Sequence, residues 1–115
     1  MRKILFLLLM MPAVSNASNF FCQGKVSVLA VGPTNGILQV NTGHGVHYVC
    51  KLHEEKNGVH PEVCKAWYSM YLSAMVSGKE ISQGYSQIDG GAQDCASLGS
   101  WVTPNPIPYW VQIKE

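Results

Sequence analysis

The sequence predicts a mostly β domain with a single helix, in the order β-β-β-α-β-β, behind an export signal. Three observations carry this. Apolar and β-branched runs alternate with period two on both sides of the chain's middle. One stretch, from Pro61 to Gly78, changes to helical period. Clusters of Gly, Pro and Asn-Gly separate the runs.

The N-terminus reads as a three-part secretory signal. Arg2 and Lys3 supply the positive region and Ile4 to Met11 is an unbroken apolar run. Ser15-Asn16-Ala17 then offers small residues at the −3 and −1 positions of a cut before Ser18. The apolar run is too short for a bilayer core, which needs about 20 residues. Residues 1–17 are therefore assigned as signal peptide and 18–115 as one disulfide-stapled domain. The mature product is expected in the periplasm or secreted, with no membrane insertion after cleavage.

Lys25 to Val31 is β-branched and apolar and ends at the turn Gly32-Pro33-Thr34-Asn35-Gly36. Ile37 to Asn41 is a second strand, closed by Thr42-Gly43-His44-Gly45. Val46 to Leu52 is a third, with Val46, Tyr48, Cys50 and Leu52 alternating against His47, Val49 and Lys51. After the polar loop ending at Asn57-Gly58, Pro61 suits the first helical position. Cys64, Trp67, Tyr68, Tyr71 and Met75 then fall on one face, with Leu72 at its edge. Gly78 is the natural C-terminal stop. Glu80 to Gln87 returns to alternation, with Ile81, Gln83 and Tyr85 on one side. Pro104, Pro106 and Pro108 exclude regular pairing until a last strand over Tyr109 to Ile113.

This is the element order of the OB-fold, a small Greek-key barrel with its helix between the third and fourth strands. Barrel closure suits so short a chain because it removes exposed edges. The alternative is an open α+β sheet with one packed helix.

Cys22, Cys50, Cys64 and Cys95 are an even set in an exported domain, with no C-x-x-C pair of the kind a zinc knuckle uses, so they are expected as two disulfides. Cys64 lies on the core side of the first helical turn and Cys50 near the end of the third strand. A Cys50–Cys64 bridge would staple helix to sheet and contribute about 3 kcal/mol by loop entropy. Cys22–Cys95 is the pairing that remains.

Without residues 1–17 the chain loses Arg2 and Lys3, leaving six lysines, seven carboxylates and no arginine. It has no basic stripe to displace counterions from phosphates, so no nucleic-acid partner is expected. Without arginine, bidentate recognition of phosphate or carboxylate is also disfavoured.

Several segments resemble a group of small, uncharacterised secreted proteins of Gram-negative bacteria. They are C-x-G-K-V (Cys22 to Val26), Y-V-C-K-L (Tyr48 to Leu52), V-C-K-A-W-Y-S (Val63 to Ser69), S-G-K (Ser77 to Lys79) and C-A-S-L-G-S-W-V-T-P (Cys95 to Pro104). More distantly, the plan resembles the B subunits of AB5 toxins of the subtilase-cytotoxin and typhoid-toxin kind, which are secreted, pentameric, glycan-binding OB-folds. The shared features are the export signal, a third-strand cysteine paired with one about 14 residues on, and a following helix ending in S/T-G-(K/Q). The resemblance implies a glycan ligand and a homo-oligomer. No sugar-binding serine motif of that family maps onto this sequence, so no ligand residue is carried over.

No grouping of nucleophile, base or metal ligands has usable spacing, so no catalysis and no cofactor are expected. His44 and His47 flank a turn with no carboxylate nearby in sequence, and the Asp89 to Asp94 loop lacks the alternating oxygen ligands of a calcium loop. A binding module fits better. OB barrels bind across strands two and three and their flanking loops. That face would present Asn35, Gln39, Asn41, His44 and His47, all neutral hydrogen-bonders, with Trp101, Tyr109 and Trp110 as stacking platforms. Tyr109 and Trp110 are adjacent in a strand, so one of the two should point outward. The alternative is a periplasmic inhibitor or immunity protein that uses the Glu54 to Gly58 or Asp89 to Asp94 loop against a partner enzyme. Intact mass and N-terminal sequencing of secreted protein should give Ser18 as the first residue; retention of residues 1–17 would contradict the signal-peptide reading.

Overall fold

In the computed structural model, which describes residues 19–115, the order is β1 (Asn19–Lys25), β2 (Val28–Val31), β3 (Ile37–Asn41), β4 (Val46–Lys51), α1 (Pro61–Ser77), β5 (Glu80–Ser86) and β6 (Trp110–Lys114). The expected signal peptide lies outside the described residues. The domain is mostly β with one helix, and its strands form two antiparallel three-stranded sheets, β1-β5-β6 and β2-β3-β4. The ladders of the two sheets do not close into one barrel. An isolated parallel bridge between His47 and Val102 extends the second sheet, with the Tyr48 N–H donating to the Val102 carbonyl at 3.0 Å.

The first expected strand, Lys25 to Val31, is shortened to β2, and an unexpected strand, β1, precedes it. The chain bends at Val26-Ser27 and passes from one sheet to the other, so β1 pairs with β5 and β2 with β3. Val26 is buried at this corner, and the Ser27 N–H donates to the Asn41 carbonyl at 2.8 Å. Gly24 is required beside it, because a Cβ there would run into the Thr42 carbonyl. The described residues therefore form six strands rather than five.

A β-bulge changes the expected facing of β4. Leu38 pairs with Cys50 and Gln39 with Tyr48, so Val49 is an extra residue between them. Tyr48 and Cys50 consequently lie on opposite faces instead of sharing one. Cys50 and His47 join the inward side with their partners Leu38 and Val40, and all four are buried.

Helix α1 starts at Pro61 and ends where Gly78, at φ 74°, donates its N–H to the Ala74 carbonyl, as the proline and glycine signals predict. His60 is the N-cap but makes no side-chain cap. The buried line is Cys64, Tyr71 and Ala74, flanked by half-buried Trp67, Tyr68 and Met70. Met75, expected to face the core, is exposed, as is Leu72, because the helix rolls its Ala74 edge onto the sheet. The two disulfides join Cys50 to Cys64 and Cys22 to Cys95, each with Cα atoms 5.8 Å apart, within ordinary disulfide geometry. No cysteine is free.

Two clusters make up the core. The larger packs Leu38, Val40, Val49, Ile81 and Val111 against α1; the smaller gathers Cys22, Tyr85, Ala92 and Leu98, with Phe20 stacked on Tyr85 at 5.2 Å. A buried polar chain joins them. The Tyr71 hydroxyl donates to Gln83 Oε1, and Gln83 Nε2 donates to the Tyr85 hydroxyl at 3.1 Å. Gln83→Leu leaves two interior hydroxyls unpaired and is expected to cost about 1–3 kcal/mol for each hydroxyl. Adding Tyr71→Phe should recover part of that loss. Denaturant unfolding of the single and double variants checks this; a Gln83→Leu protein as stable as the parent would refute it.

Candidate functional site

The strand-two and strand-three face does not assemble as the sequence suggested. Asn35 is spent on its own turn, its Oδ1 accepting from the Ile37 N–H at 3.0 Å. Asn41 likewise accepts from the Gly43 N–H at 2.7 Å. His44 Nε2 donates to the Gln23 carbonyl at 2.9 Å and so fastens its turn to β1. Gln39 and Asn41 do share the outward side of β3, opposite Tyr48 and Val46. Trp101 approaches that row through its backbone, its N–H donating to the Val46 carbonyl at 2.7 Å, with φ 62° and its ring exposed. Trp110 lies on the other sheet.

His47 is the clear correction. Expected on the outer face, it is 2% exposed, because the β4 bulge sets it inward beside Val40. Its Nε2 donates to the Gly99 carbonyl at 3.0 Å. Burial lowers its pKa below 6.5; the Gly99 and His44 carbonyls oppose the shift and the His44 charge adds to it.

Among the described residues, Cys22, Cys95 and His44 bring their ligand atoms within 4.8 Å of one another. Both sulfurs are consumed by the Cys22–Cys95 bridge, so the group has no thiolate to offer a metal. The Asp94 carboxylate accepts from the Ser97 N–H at 3.0 Å and caps the short turn Cys95–Ser97. The Glu54 loop carries a Lys51–Glu54 ion pair of 2.8 Å, and the Lys51 hydrogen bond holds the Glu54 carboxyl below its usual pKa.

The outer face of β1-β5-β6 carries the more organised constellation. Register places its side chains in three rows, since cross-strand partners share a face. Phe21, Gly84 and Trp110 form the first row, Gln23, Ser82 and Gln112 the second, and Lys25, Glu80 and Lys114 the third. The rows run from aromatic through neutral polar to charged. Tyr109 joins the first by donating its N–H to the Gly84 carbonyl at 2.9 Å, and its ring meets Phe21 edge-on at 6.4 Å. Phe21, Tyr109 and Trp110 are each about half exposed, at 49%, 47% and 53%. Both Tyr109 and Trp110 thus face solvent, not one of the two, because Tyr109 precedes the regular strand and escapes its alternation.

Polar groups fix this platform. Asn19 Nδ2 donates to the Tyr109 hydroxyl at 3.0 Å and Trp110 Nε1 to Gln112 Oε1 at 2.6 Å. Gly84 makes room for it: an added Cβ would lie 2.8 Å from Phe21 Cε2 and 3.1 Å from Tyr109 Cζ. Of these residues the sequence reading named Trp110 and Tyr109 but missed Phe21. The period-two set Asn19, Phe21, Gln23 and Lys25, opposite Phe20, Cys22 and Gly24, was the available signal.

The His47 shift has a definite pH signature. The folded state favours neutral His47, so the unfolded chain binds more protons between the lowered folded pKa and 6.5. Its stabilising contribution is complete above 6.5 and is lost as pH falls through that window. Thermal melts at about pH 8 and about pH 5 should show a larger drop for the parent than for His47→Gln; equal drops would refute the assignment. Comparison with protein-family models, curated proteins and solved structures gives no match for this chain.

Proposed function

We propose that the chain is an exported, non-enzymatic glycan-binding module whose site is the outer face of β1-β5-β6. One observation carries the reading: three exposed aromatic rings on a single sheet face, two of them packed over a glycine, bordered by neutral carboxamides. A sugar ring presents an apolar C–H face, which stacks on aromatic rings, and a rim of hydroxyls that both donate and accept. Asn19, Gln23 and Gln112 supply both functions around the rings. The two disulfides are in keeping with an oxidising compartment, and among the described residues no helix is long and apolar enough to cross a membrane.

The fold reading that accompanies this is an OB-like plan. β1 and β2 act as one bent strand shared between the sheets, the helix follows β4, and the His47–Val102 bridge brings the C-terminal segment parallel to β4. That plan supports a binding module, and the resemblance to toxin B subunits would make it a homo-oligomer.

A glycan array probed with the mature protein, followed by calorimetry on the best ligand, tests the proposal. Trp110→Ala should weaken binding about tenfold or more, equivalent to roughly 1.4 kcal/mol. Gly84→Ala should also weaken it, by spreading Phe21 from Tyr109, while the far-ultraviolet circular dichroism is retained. Trp101→Ala should leave affinity unchanged. Binding that survives both platform variants, or no glycan bound at all, would refute the assignment.

A further inference from the structure

A concave surface is formed by residues outside the aromatic platform. A cleft of about 420 Å³ is lined by Asn57, Thr103, Pro104, Asn105, Pro106 and Ile107. That volume is in the range of small-molecule sites, about 300–1,000 Å³. None of these residues belongs to the platform, and buried Pro108 separates Ile107 from Tyr109 in the chain.

Both walls are held in place. On one side, Lys56 and Val59 exchange two backbone hydrogen bonds, at 3.2 and 3.0 Å, around a tight turn with Asn57 at φ 56° and Gly58 at φ 81°. These are the positive angles of a two-residue hairpin turn, which an Asn-Gly pair adopts at little cost. On the other side, Pro104 is buried, and the Asn105 carbonyl accepts from the Ala92 N–H at 2.7 Å. A ligand entering here meets walls that are already ordered, so little conformational entropy opposes binding.

The chemistry of the lining is narrow. It offers two carboxamides and one hydroxyl over proline and isoleucine carbon, with no charged side chain. The Asn57, Thr103 and Asn105 side chains make no hydrogen bond among the described residues, in contrast to Asn35 and Asn41, which are spent on their own turns. Carboxamides donate and accept together, which suits a ligand dense in hydroxyls; the apolar floor suits a C–H face. A charged ligand would find no counter-ion in the lining.

We infer that this cleft is a second binding site, for one neutral pyranose unit, and that it acts independently of the aromatic face. A glycan-binding module with two such sites would hold a branched or extended chain at two points, and the effective concentration of the second contact would raise avidity.

Nitrogen-15 NMR on the mature protein tests the inference, with methyl glucoside, methyl galactoside and N-acetylglucosamine as separate probes. The parent and the Trp110→Ala variant are both titrated. The expected result is a saturable shift of the Asn57 and Asn105 side-chain amides with at least one probe, equally in both proteins. A probe at ~10 mM would saturate a millimolar site. Thr103→Val, which keeps the shape, and Asn105→Ala should each weaken the effect about two- to tenfold. No saturable shift at these amides with any probe would overturn the inference. So would shifts that vanish in Trp110→Ala, since binding would then belong to the platform. Cleft shifts in both proteins with no shift at the platform residues of the parent would instead refute the first proposal alone.

Discussion

The enclosed carboxamide of Gln83 is the constraint on which the rest of the structure depends. A carboxamide is tolerated in a protein interior only when its donor and acceptor are both used. Here the acceptor takes the hydroxyl of Tyr71 from the helix and the donor serves Tyr85 on the same strand. Tyr71 belongs to one core cluster and Tyr85 to the other, so this residue ties the two together. Apolar packing alone would let the helix slide along the sheet with small penalty; a directional chain of hydrogen bonds does not. The bridge between Cys22 and Cys95 reinforces the same place, because Cys22 is the cross-strand partner of Gln83.

The exposed platform follows from the same alternation. With Gln83 and Tyr85 turned inward, Gly84 must turn outward between them, and its neighbours Phe21 and Trp110 turn outward with it. Burying the polar chain and displaying the aromatic rings are two results of one strand register. The electrostatic layout is likewise a register effect: the charged row Lys25, Glu80 and Lys114 sits at the far end, which leaves the ring end neutral.

Much of this was legible in the sequence, and for physical reasons. Pro61 and Gly78 impose backbone angles that mark the helix ends wherever they stand, so its bounds could be read directly. Placing Cys64 on the core side of the first turn led to its partner in Cys50. What escaped was non-local. The strand Asn19–Lys25 contains Asn, Gln, Gly and Lys, which have weak β propensity, and it forms because β5 lies beside it. The bulge at Val49 has no glycine to announce it, yet it reversed the facing of the residues after it and moved Cys50 away from Tyr48. His47 was misplaced for the same reason, since strict alternation assumes an unbroken ladder. The platform was half visible: Trp110 and Tyr109 stood out by residue type, but Phe21 is 88 positions before Tyr109 and only the fold brings them together.

The corner at Val26 and Ser27 has a consequence for how mistakes propagate. Because two residues join β1 to β2, neither sheet can choose its frame alone. Parity passes through the corner like a tooth through meshed gears. A one-residue slip of β1 against β5 would swing Phe21 toward the interior and Cys22 away from Cys95, and to keep the joint closed would drive Leu29 off the side it shares with Val40. Each sheet thus proofreads the other: a misaligned arrangement in one is rejected by the apolar pattern of its neighbour.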